Sequence, residues 1–177
     1  LRREYNPTHM AVAFDPEGEV FRHDLYEDYK ANRDPMPEDM ARQIPLLEEI
    51  LEAQDVPLLT VNGYEADDVM GTLARRASEE GLECFLVTTD KDVEQLIDDH
   101  VSVLHIHKDR EELVDRKTLQ EKKGLTPSQV IDMMSLSGDT SDNIPGIRGI
   151  GPKTALKLMS QFDTVENLYE NLDEVSG

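Results

Sequence analysis

The chain has 177 residues, enough for one sizeable core or a core plus a small appended module, and its 38% hydrophobic and 32% charged residues suit a soluble globular protein. Apolar runs such as Met10-Ala11-Val12-Ala13-Phe14 are too short to cross a bilayer, no secretory leader opens the chain, and a single cysteine, Cys84, excludes an internal disulfide. The formal net charge of -20, from 38 Asp plus Glu against 18 Lys plus Arg, argues at first sight against a nucleic-acid partner, but a site is decided by where the charges lie.

Leu1-Arg2-Arg3-Glu4-Tyr5 reads as the last turns of a helix that begins before the chain, so the sequence is expected to be a fragment. His9 to Phe14 is a β-compatible apolar run closed by Asp15 and the turn Pro16-Glu17-Gly18, and predicts a buried strand. Phe21 to Arg33 mixes aromatic and charged residues without an apolar face, so it is either a mobile helix or an ordered loop, expected to add little to the core. From Pro37 to Ala53 the positions Met40, Ile44, Leu47, Ile50 and Leu51 recur at helical spacing, and Pro45 predicts a kink or a break into two short helices. Leu58 to Val61 predicts a strand, Glu65 to Glu80 a helix stopped by Gly81, Cys84 to Thr88 a strand, Lys91 to Ile97 a short helix and Val101 to Ile106 a fourth strand. Cys84 is expected to be a buried small hydrophobe in a reducing, cytoplasmic setting. This alternation predicts an α/β fold, a mostly parallel central sheet flanked by helices, over residues 1–115. Beyond Leu113 only helices are expected, at 116–122, 127–136, 152–161 and 164–172, so a small helical module occupies 116–177.

The predicted strands end in carboxylates: Asp15 after the first, Glu65, Asp67 and Asp68 after the second, Asp90 and Asp92 after the third. In an open parallel sheet those strand ends form one edge, where ligands bind. Singly, each cluster has a plainer reading as helix-cap or first-turn residues, and Asp139 and Asp142 fit turn positions in Gly138-Asp139-Thr140-Ser141-Asp142-Asn143. As a set, carboxylates packed on one edge repel one another unless cations sit among them. All-oxygen ligands suit Mg²⁺ or Mn²⁺, no Cys/His spacing competes for a softer metal, and a pair of such ions is a site for phosphoryl transfer. His105 and His107 alternate along one strand and are expected to be solvated or partly buried rather than ligands.

Gly146-Ile147-Arg148-Gly149-Ile150-Gly151-Pro152-Lys153-Thr154 nearly matches the nucleotide-binding P-loop, but Pro152 stands between the last glycine and Lys153, and no strand precedes the turn, so that reading is rejected. What remains is a glycine-rich turn opening a helix, with Gly146, Gly149 and Gly151 leaving the backbone open to an anion and Lys153 and Thr154 in the first turn. Two helices joined in this way bind a nucleic-acid backbone irrespective of sequence. A plain tight turn is the competing reading.

Taken in order, Ala13-Phe14-Asp15, Phe21 to Arg33, Gly63-Tyr64-Glu65-Ala66-Asp67-Asp68, Thr89-Asp90-Lys91-Asp92, Gly138 to Gly146 and Gly149 to Ala155 closely resemble the 5'-3' exonuclease domains of the flap endonuclease family. The likeness runs over essentially the whole chain. It implies a PIN-like nuclease fold, with an arch-like segment over about 20–37, followed by a helix-two-turn-helix at about 127–161. It implies that Asp15, Glu65, Asp67, Asp68, Asp90, Asp92, Asp139 and Asp142 are metal-site acids, and that Lys30 and Arg33, with Arg22 nearby, engage the scissile phosphate. It implies further that the turn with Gly146, Gly149, Gly151, Lys153 and Thr154 grips duplex DNA and holds a K⁺ ion through its carbonyls. Two departures stand out: a family strand ending in one more metal-binding Asp would precede Leu1, and Thr89 stands where glycine is usual before Asp90.

The expectation is a nuclease with two or more Mg²⁺ or Mn²⁺ ions, cutting DNA at 5' ends, flaps or nicks, with RNA primer-DNA hybrids as further substrates. It would be monomeric, linked to a polymerase domain beyond residue 177, located at the bacterial nucleoid, and without a membrane partner. The alternatives are a stand-alone flap nuclease, a junction-binding paralogue without catalysis, and an aspartyl-nucleophile phosphatase, which would want an Asp-x-Asp that Asp15-Pro16-Glu17 does not supply.

Overall fold

The computed structural model of the chain describes residues 1–108 and 110–175. Two compact units divide it, Leu1–Met70 and Gly71–Gly177, and the division falls within one helix.

The first unit contains α1 (Arg2–Tyr5), β1 (Val12–Ala13), α2 (Phe21–Leu25), α3 (Glu38–Ala41), α4 (Ile44–Glu52), β2 (Leu58–Leu59) and the start of α5 (Ala66–Glu79). β1 and β2 pair in parallel, Val12 opposite Leu58, so the two expected strands keep their places but contract to two residues each. Pro45 lies in the first turn of α4, where a missing N–H leaves no hydrogen bond unmade, and the expected break falls between α3 and α4. The Phe21–Arg33 segment corrects expectation. After the short α2 the chain runs through successive turns, yet Tyr29 is only 4% exposed. Its ring can be buried because its O–H has a partner, Glu65.

In the second unit β3 (Cys84–Val87) lies parallel to β4 (Val101–Ile106), Cys84 opposite Val101. On the other side β5 (Glu111–Val114) runs antiparallel, Val103 opposite Val114. No strand was expected at β5, because Glu111 and Glu112 interrupt any apolar run; its hydrogen bonds to β4 form it. Parallel pairing is thus present in both units, but the described strands form three small sheets rather than one continuous one. Val101, Val103 and Leu104 are almost wholly buried, with Val93 of the 3₁₀ helix Asp92–Leu96, with Ile97 just after it and with Leu119 of α6 (Arg116–Lys123). Two further expectations change here: Cys84 is half-buried, and His105 is buried, at 6% exposure.

The helical part is set by its caps. Asp115 accepts the Thr118 N–H at 2.7 Å to start α6, and Gly124 ends it at φ 68. Thr126 and Gln129 form a reciprocal capping box for α7 (Pro127–Ser137), and Gln129 Nε2 also donates to Asp163 Oδ1 at 2.7 Å, beyond the end of α8 (Pro152–Phe162). Leu125, Leu136, Ala155, Leu158, Met159, Phe162 and Leu168 of α9 (Val165–Glu170) make the core of this bundle. Between α7 and α8, β6 (Gly138–Asp139) pairs antiparallel with β7 (Ile144–Pro145). Gly138 has φ 72, and a Cβ there would lie 2.2 Å from the Gly146 nitrogen; a Cβ on Gly146 would lie 2.2 Å from the Ser137 carbonyl carbon. Backbone meets backbone at that point, and the loop that carries Asp139 and Asp142 is closed by two residues that only glycine can fill.

Candidate metal and phosphate site

In the first unit the candidate acids sit where β1 and β2 hand the chain to α5. Asp15, just beyond β1, accepts the Ala66 N–H at 2.8 Å, so it lies against the N-terminus of α5. Asp68 accepts the Glu65 N–H at 2.9 Å in the same first turn, and Asp67 is half-buried beside it. The first-turn reading of these acids therefore holds, without removing them from a site.

The candidate cations reach the same place. Arg22 donates from both terminal nitrogens to Asp68, at 2.7 and 2.8 Å, and its Nη1 lies 3.0 Å from Glu65 Oε2. The hydrogen bond to Asp68 holds the guanidinium charged still more firmly than usual, and that bond in turn lowers the Asp68 carboxyl below its ordinary range. Lys30 pairs with Glu65 Oε1, while the Tyr29 O–H donates to Glu65 Oε2 at 2.8 Å. Glu65, itself buried, is thus held by three side chains. Lys30 takes this position with φ 56, a left-handed conformation that costs a lysine about 1–2 kcal/mol and persists because the partners around it are fixed. Arg33 is exposed in the turn that follows. Sequence reasoning missed Tyr29: its bond to Glu65 spans 36 positions, and no local pattern announces it.

In the second unit the acids crowd one another. Asp90 follows β3, and its carboxylate accepts the Asp92 N–H at 2.9 Å where the 3₁₀ helix begins. Asp139 accepts the Ser141 N–H at 2.7 Å within the loop closed by Gly138 and Gly146. Burial, then the charges of Asp90, Asp139 and Asp142, then a hydrogen bond with Asp139, push the Asp92 carboxyl up to about 7. Among the described residues, no three His, Cys, Asp or Glu side chains converge on one metal position, so these four are neighbouring carboxylates rather than a finished coordination sphere. Their chemistry fits a hard divalent cation, since every donor is a carboxylate oxygen and like charges so close favour a cation or a shared proton. Thr89, before Asp90, does not adopt positive φ, so the departure from glycine leaves the loop unstrained.

A cavity of about 200 Å³ runs beside this cluster, lined by Lys91, Asp92, Lys123, Asp139 and Pro152 among others. Glu94, which also lines it, is 2% exposed and pairs with Lys123 and, at 3.2 Å, with His105 Nε2, while His105 Nδ1 meets the Thr88 carbonyl at 2.7 Å. This network ties β4 and α6 to the segment that carries Asp90 and Asp92.

The glycine turn leads into α8 with Gly149 at φ 90 and Gly151 as the N-cap, without a side-chain cap. Lys153 and Thr154 are exposed in the first turn, and Gly146 and Arg148 are exposed as well. Among the described residues no helix is long and apolar enough to cross a membrane.

The family model described as the 5'-3' exonuclease N-terminal resolvase-like domain matches residues 1–124, and that of the 5'-3' exonuclease C-terminal SAM fold matches residues 125–177. The chain is 46% identical over 176 residues to DNA polymerase I of Bacillus caldotenax, covering 98% of this chain and 20% of that protein. It is 48% identical over 164 residues to a thermostable DNA polymerase I of Thermus thermophilus, covering 93% of this chain and 19% of that protein. The chain therefore spans about a fifth of the length of these curated relatives. Among solved structures, a bacteriophage T5 flap endonuclease in complex with DNA and metal ions aligns with a TM-score of 0.81 at 25% identity, over 99% of this chain and 68% of that one. The catalytic core of Rad2, at 21% identity and a TM-score of 0.58 over 89% of this chain and 49% of that one, shares the fold. Two family models matched in succession from residue 1 to residue 177 mean that the chain belongs to the 5'-3' exonuclease family, with a resolvase-like domain followed by a SAM-fold domain.

Proposed function

We propose that the chain hydrolyses phosphodiester bonds at the 5' ends, flaps and nicks of DNA, using two or more Mg²⁺ or Mn²⁺ ions, with residues 1–115 as the nuclease core and 116–177 as the DNA-gripping module. The observation that carries this reading is the cluster of Asp90, Asp92, Asp139 and Asp142, in which burial and like charges push one carboxyl up to about 7. Such a cluster is relieved when a hard divalent cation binds it. Asp15, Glu65, Asp67 and Asp68 form the second ligand set. When bound, the ions supply an activated water and neutralise charge on the phosphate.

The side chains of the protein do the rest. Lys30, Arg22 and Arg33 bind and orient the scissile phosphate, Lys30 exchanging its contact with Glu65, and Arg22 its contacts with Glu65 and Asp68, for contacts with phosphate oxygens. Tyr29 keeps Glu65 in one orientation throughout. Gly146, Gly149 and Gly151 admit the duplex backbone to the N–H groups of the turn, Lys153 and Thr154 add side-chain contacts, and the turn carbonyls hold K⁺. The products carry 5'-phosphate and 3'-hydroxyl. The protein acts as a monomer linked to a polymerase domain at the bacterial nucleoid, and RNA primers annealed to DNA are among its substrates.

The test is cleavage of a labelled 5'-flap substrate by the purified full-length protein, with the strand expected before Leu1 in place. Cutting with Mg²⁺ and none with EDTA is expected; a binding module without catalysis retains the substrate uncut in both.

A further inference from the structure

We propose that Phe21 and Tyr64 form a stacking surface for an unpaired nucleobase of the substrate strand, next to the scissile phosphate. The inference rests on the nuclease reading above and adds a base-recognition subsite to it. Both rings are exposed, Phe21 at 38% and Tyr64 at 51%, and their centroids are 5.5 Å apart at 46°. Isolated exposed aromatics are ordinary. This pair differs in its neighbours along both stretches of chain: Phe21 precedes Arg22, Tyr64 precedes Glu65, and Arg22 and Glu65 form the 3.0 Å ion pair of the candidate site. Each ring is thus one residue from a side chain proposed to handle the phosphate or its metal.

The surface is fixed rather than floppy. Phe21 N–H donates to the Gly63 carbonyl at 3.0 Å, joining the start of α2 to the turn that carries Tyr64, and Tyr64 N–H donates to the Val61 carbonyl at 3.1 Å. Gly63 has φ 82, which sets the direction of that turn. The Arg22 guanidinium lies 4.7 Å from the Phe21 ring centroid while it holds Asp68. A cation over an aromatic face, with a second ring beside it, is the combination that binds single-stranded nucleic acid without regard to sequence. The spacing also defines the mode. Inserting a base between two rings requires twice the stacking distance of about 3.4 Å, which exceeds the 5.5 Å available, so the base lies on the outer face of Tyr64. An unpaired base is the occupant because a paired one has both faces covered by its own stack, and because the adjoining cations select a phosphate-bearing chain.

The experiment compares two 5'-flap substrates identical except that the unpaired nucleotides at the scissile bond are either normal or abasic. Steady-state cleavage is measured for the wild type, Tyr64→Ala, Tyr64→Leu and Tyr64→Phe. In parallel, 2-aminopurine placed at the same nucleotide reports stacking by quenching in EDTA, where no cleavage occurs. Tyr64→Ala and Tyr64→Leu are expected to raise KM for the normal flap about tenfold, to leave KM for the abasic flap unchanged and to lose the quenching. Tyr64→Phe should behave as the wild type. Equal effects on both substrates, or no effect on the normal one, would overturn the stacking surface; the Leu variant keeps apolar bulk, so a fold defect in the Ala variant alone does not mimic the result. If the wild type cuts neither flap but still quenches 2-aminopurine, the nuclease reading fails while the stacking surface stands.

Discussion

Asp92→Asn is expected to make the protein more stable and nearly inactive at once. Asp92 has its carboxyl raised to about 7 by burial and by Asp90, Asp139 and Asp142. A carboxyl whose folded pKa lies above its unfolded value of about 3.9 favours the folded state only while both forms are protonated. As the pH rises from about 4 to 7 the unfolded chain releases that proton more readily, and stability falls; above about 7 no further loss comes from this group. Asparagine cannot ionise, so the variant should gain thermal stability over the wild type progressively across that window, without divalent cations, and keep the gain at pH 8. Mg²⁺ should narrow the difference at pH 8 by stabilising the wild type more than the variant. Cleavage should fall about a hundredfold or more if Asp92 holds a metal ion as proposed, because losing its negative oxygen weakens charge stabilisation that is worth several kcal/mol in the transition state. Melting curves from pH 4 to 8, with and without Mg²⁺, check the first part, and single-turnover cleavage checks the second. Parallel melting profiles at every pH would remove Asp92 from the acid cluster.

The second large effect concerns Glu94, which lies outside the proposed metal-ligand set. Glu94→Ala should cost about 3 kcal/mol, because it leaves His105 buried beside an unpartnered space and breaks the bond to Lys123 that ties α6 to the 3₁₀ helix. For a domain of this size the melting temperature should drop by roughly 10 °C. Lys123 is partly exposed and recovers solvation, so Lys123→Met alone should cost distinctly less than Glu94→Ala. Chemical denaturation of the three proteins checks the order, and equal losses would mean that the ammonium, rather than His105, dominates.

The helices were legible because their signals are local. Thr126 and Gln129 cap α7, Asp115 and Gly124 bound α6, and Pro152 opens α8, all within a few residues of the elements they define. Strands were legible where apolar runs coincide with pairing, as at Val101–Ile106, and were overestimated at Val12–Ala13 and Leu58–Leu59, where only two residues find a partner. β5 was invisible because its sequence carries two glutamates and only its neighbour makes it a strand. The acids and glycines of the candidate site were visible as residue types at telling positions. Their company was not: Tyr29 lies 36 positions from Glu65, and Lys123 lies 29 positions from Glu94. Such pairs are made by the fold, and a sequence pattern of period two or 3.6 contains no trace of them.

Cleavage, in the function proposed, depends on divalent cations held by the carboxylates. Titration of the purified protein with Mn²⁺, following free Mn²⁺ by electron paramagnetic resonance in the absence of DNA, probes that dependence at its source. Saturable binding is expected, displaced by Mg²⁺ and weakened at least tenfold in Asp139→Asn. No saturable binding, or binding that Asp139→Asn and Asp92→Asn leave untouched, would contradict it.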